Sequence, residues 1–140
     1  MKNTFTPQTV CLIDDDRIYQ FTARRIIELV NPLQKVLVFS NGKEAMDFFT
    51  QQSLSNEQLP DVIFLDINMP VMNGWEFLDA YSQLKNTLQK RIEIYLVTSS
   101  VDPNDEFMAN ENPDVAGFYS KPLKPEELTE IIKAVVIKNY

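Results

Sequence analysis

Two apolar runs in this chain stop at carboxylates, and no other feature constrains the fold as much. Val10-Cys11-Leu12-Ile13 runs into Asp14-Asp15-Asp16, and Val62-Ile63-Phe64-Leu65 runs into Asp66. A short unbroken apolar run that ends at a polar cluster reads as a strand buried on both faces, the kind found inside a parallel sheet covered by helices. If both strands belong to one parallel sheet, their acidic ends emerge on the same edge, where open α/β sheets place their chemistry. Oxygen-rich side chains gathered there suit a hard divalent cation.

The rest of the chain alternates in the same sense. A strand over 9–14 leads into a helix from Asp16 or Arg17 to Val30, with Ile18, Phe21, Ile26, Leu29 and Val30 read as its apolar face. Asn31-Pro32 ends that helix, because proline disfavours helical backbone at the residue before it. Val36–Phe39 reads as a strand, and Ser40-Asn41-Gly42 as a turn into a second helix with Ala45, Met46 and Phe49 on its stripe. The polar stretch Gln51–Gln58 is a loop or a frayed helix end. After the strand Val62–Leu65, Asn73-Gly74 reads as a turn before a third helix carrying Trp75, Phe77, Leu78 and Tyr81. Further strands cover about 92–97 and 116–120, and a short fourth helix opens at Asp102-Pro103 and stops by Pro113. The last helix runs from about Pro125 to Lys138, with proline in the first turn, where its missing N–H costs nothing.

Helical segments between all the strands imply parallel βαβ units with right-handed crossovers. The expected fold is therefore an α/β, flavodoxin-like, doubly wound five-stranded parallel sheet of order 2-1-3-4-5 with helices on both faces. A single domain over 1–140 is expected, with its core at about 8–138 and no output domain.

Composition excludes several functions. The 140 residues, 44% hydrophobic and 24% charged, suit one soluble core. No apolar stretch approaches a membrane span, and the N-terminus lacks a signal-peptide core, so a cytoplasmic location without membrane partners is expected. Net charge is −7 and the basic residues are scattered, which argues against nucleic acid as a direct partner. The chain has no histidine, so it can form no Ser-His or Cys-His nucleophile pair and no histidine-ligated zinc site. A phosphohistidine would have to come from another protein. Cys11, inside an apolar strand, reads as a small buried hydrophobe.

In the expected strand order Asp14, Asp15 and Asp66 converge, with Thr98 and Ser99 arriving from the fourth strand and Lys121 from the fifth. Asp14 and Asp15 with Asp66 could hold a cation; one of the triplet, Asp16 or Asp15, should also cap the first helix. A bound cation would screen the carboxylates and neutralise an incoming phosphoryl group. Lys121 adds a mobile positive charge and Thr98 a hydroxyl, both suited to phosphoryl oxygens.

Those residues carry a family resemblance. Leu12-Ile13-Asp14-Asp15-Asp16, Asn41-Gly42-Lys43-Glu44-Ala45, Asp61 to Pro70 with Asn73-Gly74, Val97-Thr98-Ser99, and Gly117 to Pro122 stand in the order found in the receiver domain of two-component response regulators. The chain resembles that family over nearly its whole length. The resemblance implies that Asp66 accepts a phosphoryl group from a sensor histidine kinase or a histidine phosphotransfer protein. It implies a Mg²⁺ (or Mn²⁺) site made by Asp15 with Asp14, Asp66 and the backbone carbonyl of Asn68. Thr98 matches the switch hydroxyl, Lys121 the residue that pairs with the phosphoryl charge, and Phe118 the switch aromatic. The Lys121-Pro122 bond is often cis in such domains. An unknown protein target would read the face made by helix four, strand five and helix five, and the chain would be a monomer or a phosphorylation-dependent dimer.

Two other readings compete. A phosphohydrolase using an aspartyl-phosphate, as in haloacid-dehalogenase-like phosphatases, typically wants an acid two residues after the nucleophile, and Asn68 stands there. A non-phosphorylated interaction module with this fold would usually have lost a site residue. A phospho-acceptor signalling domain, not a turnover enzyme, fits all positions.

Overall fold

The computed structural model describes residues 9–51, 54–55, 57–88 and 90–138. The N-terminal octet, the first residue of the expected core and Gln52, Ser53 and Asn56 of the polar stretch lie outside them. Five strands, β1 (Thr9–Ile13), β2 (Lys35–Phe39), β3 (Val62–Leu65), β4 (Glu93–Thr98) and β5 (Val115–Ser120), form one sheet of order β2-β1-β3-β4-β5. All the pairings are parallel. The helices are α1 (Arg17–Val30), α2 (Gly42–Phe49), α3 (Gly74–Leu84), α4 (Pro103–Glu111) and α5 (Pro125–Lys138), with a 3₁₀ turn at Lys85–Thr87. This is the expected doubly wound α/β fold.

The central strands explain the unbroken apolar runs. Successive side chains of a strand point to opposite faces. Cys11 and Ile13 of β1, Ile63 and Leu65 of β3, and Ile94 and Leu96 of β4 pack into one cluster with Phe49, Phe77, Leu78 and Tyr81 from α2 and α3. Their neighbours Val10, Leu12, Val62, Phe64, Tyr95 and Val97 enter the opposite cluster, with Ala23 and Ile27 of α1 and Leu128, Ile131, Ile132 and Val135 of α5. Both faces are covered by helices, so the polar residues of these strands are confined to their ends, as at Thr9, Glu93 and Thr98.

One reading of the sequence needs correction. Ile18, Phe21 and Leu29, assigned to the buried face of α1, are 80%, 69% and 74% exposed. The core face of α1 is built from Ala23 and Ile27, with Tyr19 and Ile26 packed against it. The helix turns about 100° per residue, so 19, 23, 26 and 27 share a side. An alanine and a tyrosine mark that side more weakly than the isoleucine and phenylalanine opposite.

Two glycines read as turn residues serve another purpose. Gly42 and Gly74 are the first residues of α2 and α3, and neither has a positive φ. A Cβ on Gly74 would lie 2.5 Å from the backbone oxygen of Asp66, and one on Gly42 would lie 2.9 Å from that of Met72. Close approach of backbone, not turn geometry, requires glycine there. Asn41 and Asn73 are the N-caps, and Asn73 forms a reciprocal capping box with Glu76.

Candidate functional site

Main-chain hydrogen bonds fix the acidic edge. The N–H of Asp14 donates to the Phe39 carbonyl at 3.0 Å and that of Asp66 to the Ile13 carbonyl at 2.9 Å. Both aspartates thus begin where the sheet ladder ends, and their backbones are held by it. Asp16 closes the loop as the N-cap of α1, accepting from the N–H groups of Ile18 and Tyr19 at 3.0 and 3.2 Å. Its own N–H donates to Asp14 Oδ1 at 2.9 Å. That leaves Asp14 and Asp15 to face β3.

The carboxylates of Asp14, Asp15 and Asp66 meet as expected: a ligand oxygen from each lies within 4.8 Å of the others. Asp14 and Asp66 are buried and Asp15 is exposed, so the cluster opens to solvent on one side only. Lys121, brought by β5, places its Nζ 2.7 Å from Asp14 Oδ2 and 3.4 Å from Asp66 Oδ2. Its ammonium also sits 4.7 Å from the centroid of the Tyr19 ring. The Lys121-Pro122 bond is cis.

The electrostatics follow from burial. Loss of water raises the Asp14 carboxyl to about 6, against the pull of the Lys121 ammonium and the Asp16 N–H, while the charge of Asp66 adds to the rise. Burial works against the Lys121 ammonium, but the close carboxylate and charge of Asp14, joined by Asp66, outweigh it and raise its pKa. With all three acids ionised, one ammonium leaves two negative charges in a buried-to-open cleft. Hard oxygen donors with that excess charge fit a small divalent cation. Asp14 Oδ2 supports the fit, since among the described residues this buried oxygen has the Lys121 ion pair and no geometrically satisfactory hydrogen bond.

The remaining expected residues surround this centre. Thr98 is fully buried at the end of β4, and its hydroxyl accepts the Ser100 N–H at 3.2 Å. The Thr98 carbonyl accepts the Lys121 N–H at 2.9 Å, which ties the ends of β4 and β5 together. Asn68 is exposed on the loop after Asp66, whose Oδ1 accepts the Ile67 N–H at 2.8 Å. Phe118 is half-buried and packs against the cluster beneath α2 and α3. Trp75, read as partly buried packing, is that, and its indole N–H also donates to Asp105 Oδ1 of α4 at 3.1 Å.

Two contacts were missed in the sequence. Gln20 Nε2 donates to the Asp14 carbonyl at 2.5 Å, and Tyr19 lies beneath Lys121. Both residues stand one helical turn beyond the Asp15-Asp16 corner, and that spacing was the available signal.

This edge and fold belong to a known class. The family model of the response regulator receiver domain matches residues 10–133, and the chain belongs to that family. The nitrate/nitrite response regulator protein NarL of Escherichia coli is 28% identical over 126 residues, 90% of this chain and 53% of NarL. The chain therefore spans about half the length of that curated relative. A two-component response regulator from Cytophaga hutchinsonii has a crystal structure that matches with a TM-score of 0.83 and 30% identity, covering 94% of this chain and 98% of that one. The Mn²⁺-bound form of response regulator Rcp1 shares the fold, with a TM-score of 0.70, 22% identity, and coverage of 92% and 91%. The chain is thus a receiver domain of the two-component signalling type. Among the described residues, no helix is long and apolar enough to cross a membrane.

Proposed function

We propose that Asp66 is the phosphoryl acceptor of this receiver domain, with Asp14, Asp15, Asp66 and the Asn68 carbonyl holding Mg²⁺. The observation that carries this reading is the meeting of three carboxylates with one lysine at the sheet edge. Asp14 takes the short contact to Lys121 and Asp66 the long one, which leaves the Asp66 carboxylate the less committed nucleophile. The cation supplies charge neutralisation for the incoming phosphoryl oxygens. An Asp66 carboxylate oxygen forms the new P–O bond as the P–N bond of a kinase or phosphotransfer phosphohistidine breaks, and the leaving imidazole nitrogen takes up a proton. The Lys121 ammonium then pairs with the phosphoryl charge.

Thr98 gives up its Ser100 contact and turns its hydroxyl to the phosphoryl group, so the phosphorylated state is favoured by contacts the other state lacks. A protein partner reads that shift on the face of α4, β5 and α5. Asn68 offers an amide where a phosphatase would need an acid, which supports signalling over turnover. With Mg²⁺ and acetyl phosphate, the chain should gain one phosphoryl group by mass, and Asp66→Asn should gain none. Labelling that persists in Asp66→Asn would sink the assignment.

A further inference from the structure

We infer that Tyr19 is a positioning residue for Lys121: its ring keeps the ammonium beside Asp66 when the cation claims Asp14. The inference rests on the phosphoryl-acceptor reading above. Among the described residues, the Lys121 ammonium has three partners: Asp14 at 2.7 Å, Asp66 at 3.4 Å and the Tyr19 ring at 4.7 Å. The shortest of these is to a carboxylate that also belongs to the cation cluster. A divalent cation therefore competes with Lys121 for its best partner, and a lysine on a flexible four-carbon stem that loses it can swing away from Asp66. The face of an aromatic ring attracts an ammonium through its quadrupole and offers no carboxylate for the cation to take. Among the three contacts, only the one to Tyr19 survives metal loading unchallenged.

The ring is well placed to serve as an anchor. The backbone N–H of Tyr19 is itself one of the two that Asp16 caps, so the residue is pinned in the first turn of α1. Its side chain packs against the cluster beneath α1 and α5. The phenolic hydroxyl is buried and has no hydrogen-bond partner among the described residues. The polar end of the side chain therefore does not account for the contact, whereas the ring face does.

An isosteric series separates this role from packing alone. The full chain, saturated with Mg²⁺, is titrated with fluoroberyllate as the phosphoryl probe by calorimetry, with phenylalanine, difluorophenylalanine and trifluorophenylalanine placed at position 19. Tyr19→Phe should stay within about twofold of wild type, and affinity should fall stepwise with fluorination to about fivefold, the range of a partly desolvated cation–π contact. In parallel, the Lys121 side-chain protons should keep their upfield ring-current shift when Mg²⁺ is added. An affinity indifferent to fluorination, a Tyr19→Phe variant as weak as the trifluoro one, or a ring-current shift lost on adding Mg²⁺ overturns the inference while the acceptor reading stands. A wild-type chain that takes up no fluoroberyllate overturns both.

Discussion

Asp14 is the residue on which the proposed chemistry turns, because the Lys121 ammonium and the proposed metal ion would share its carboxylate. It holds Lys121 close, and under the proposed assignment it would give one oxygen to the metal. Burial raises its carboxyl to about 6, whereas an aspartate in an unfolded chain titrates at about 3.9. Between those values the folded chain binds the extra proton, so the Asp14 contribution to stability of the metal-free protein falls as pH rises from about 4 to about 6 and then levels off. The same proton competes with the metal. Mg²⁺ affinity, measured by titration, should be about tenfold weaker at pH 5 than at pH 7, since a ligand must be deprotonated to bind. An affinity that is flat across that range would place Asp14 outside the ligand set. This behaviour was not legible in Leu12-Ile13-Asp14-Asp15. The sequence put acids at a strand end, but only the packing makes Asp14 1% exposed while Asp15 stays in solvent.

Among the elements, the connection from β3 to α3 stores backbone strain beside Asp66. The Met72 N–H donates to the Pro70 carbonyl at 2.7 Å, which closes a three-residue turn around Val71. Val71 lies at φ 69°, a conformation that a β-branched residue adopts only under strain. Its side chain is 78% exposed, so little packing offsets that strain. Relief of strain of about 1–3 kcal/mol outweighs the roughly 0.5–1 kcal/mol that glycine loses in chain entropy. Val71→Gly should therefore raise unfolding free energy by about 1 kcal/mol in a denaturant titration. A loss of stability would show that the turn is not strained.

The same connection marks where sequence reasoning stopped. Asn73-Gly74 was visible as a break, yet the reason for glycine is a contact with the Asp66 backbone across the turn, which leaves no local trace. Helix α1 failed in a related way. Its length and cap were legible, but which face is buried was decided by the sheet and by α5, not by its own richest apolar stripe.

At the scale of the molecule, the parallel order was legible because a strand dry on both faces cannot alternate, and the runs at Val10 and Val62 do not. The edge strands β2 and β5 are only half-buried and read less sharply. That architecture also makes the site a point where distant segments are joined, since Asp14, Asp66 and Lys121 come from β1, β3 and β5. A cation bound there cross-links the sheet edge in the folded chain and has no equivalent site in the unfolded one. It should stabilise the whole domain by RT ln(1 + [L]/Kd), about 2.7 kcal/mol at a hundredfold excess over Kd. For a domain of this size, that corresponds to a rise of roughly 8 °C in Tm by calorimetry. Asp15→Asn is the discriminating variant, because Asp15 is exposed and its loss leaves the core packing intact. Its metal-free Tm should be no lower than the wild type's, because removing one of three clustered carboxylates relieves their repulsion, while most of the Mg²⁺-induced rise disappears. An Asp15→Asn protein that keeps the full rise would remove Asp15 from the site and leave the cation to the buried pair alone.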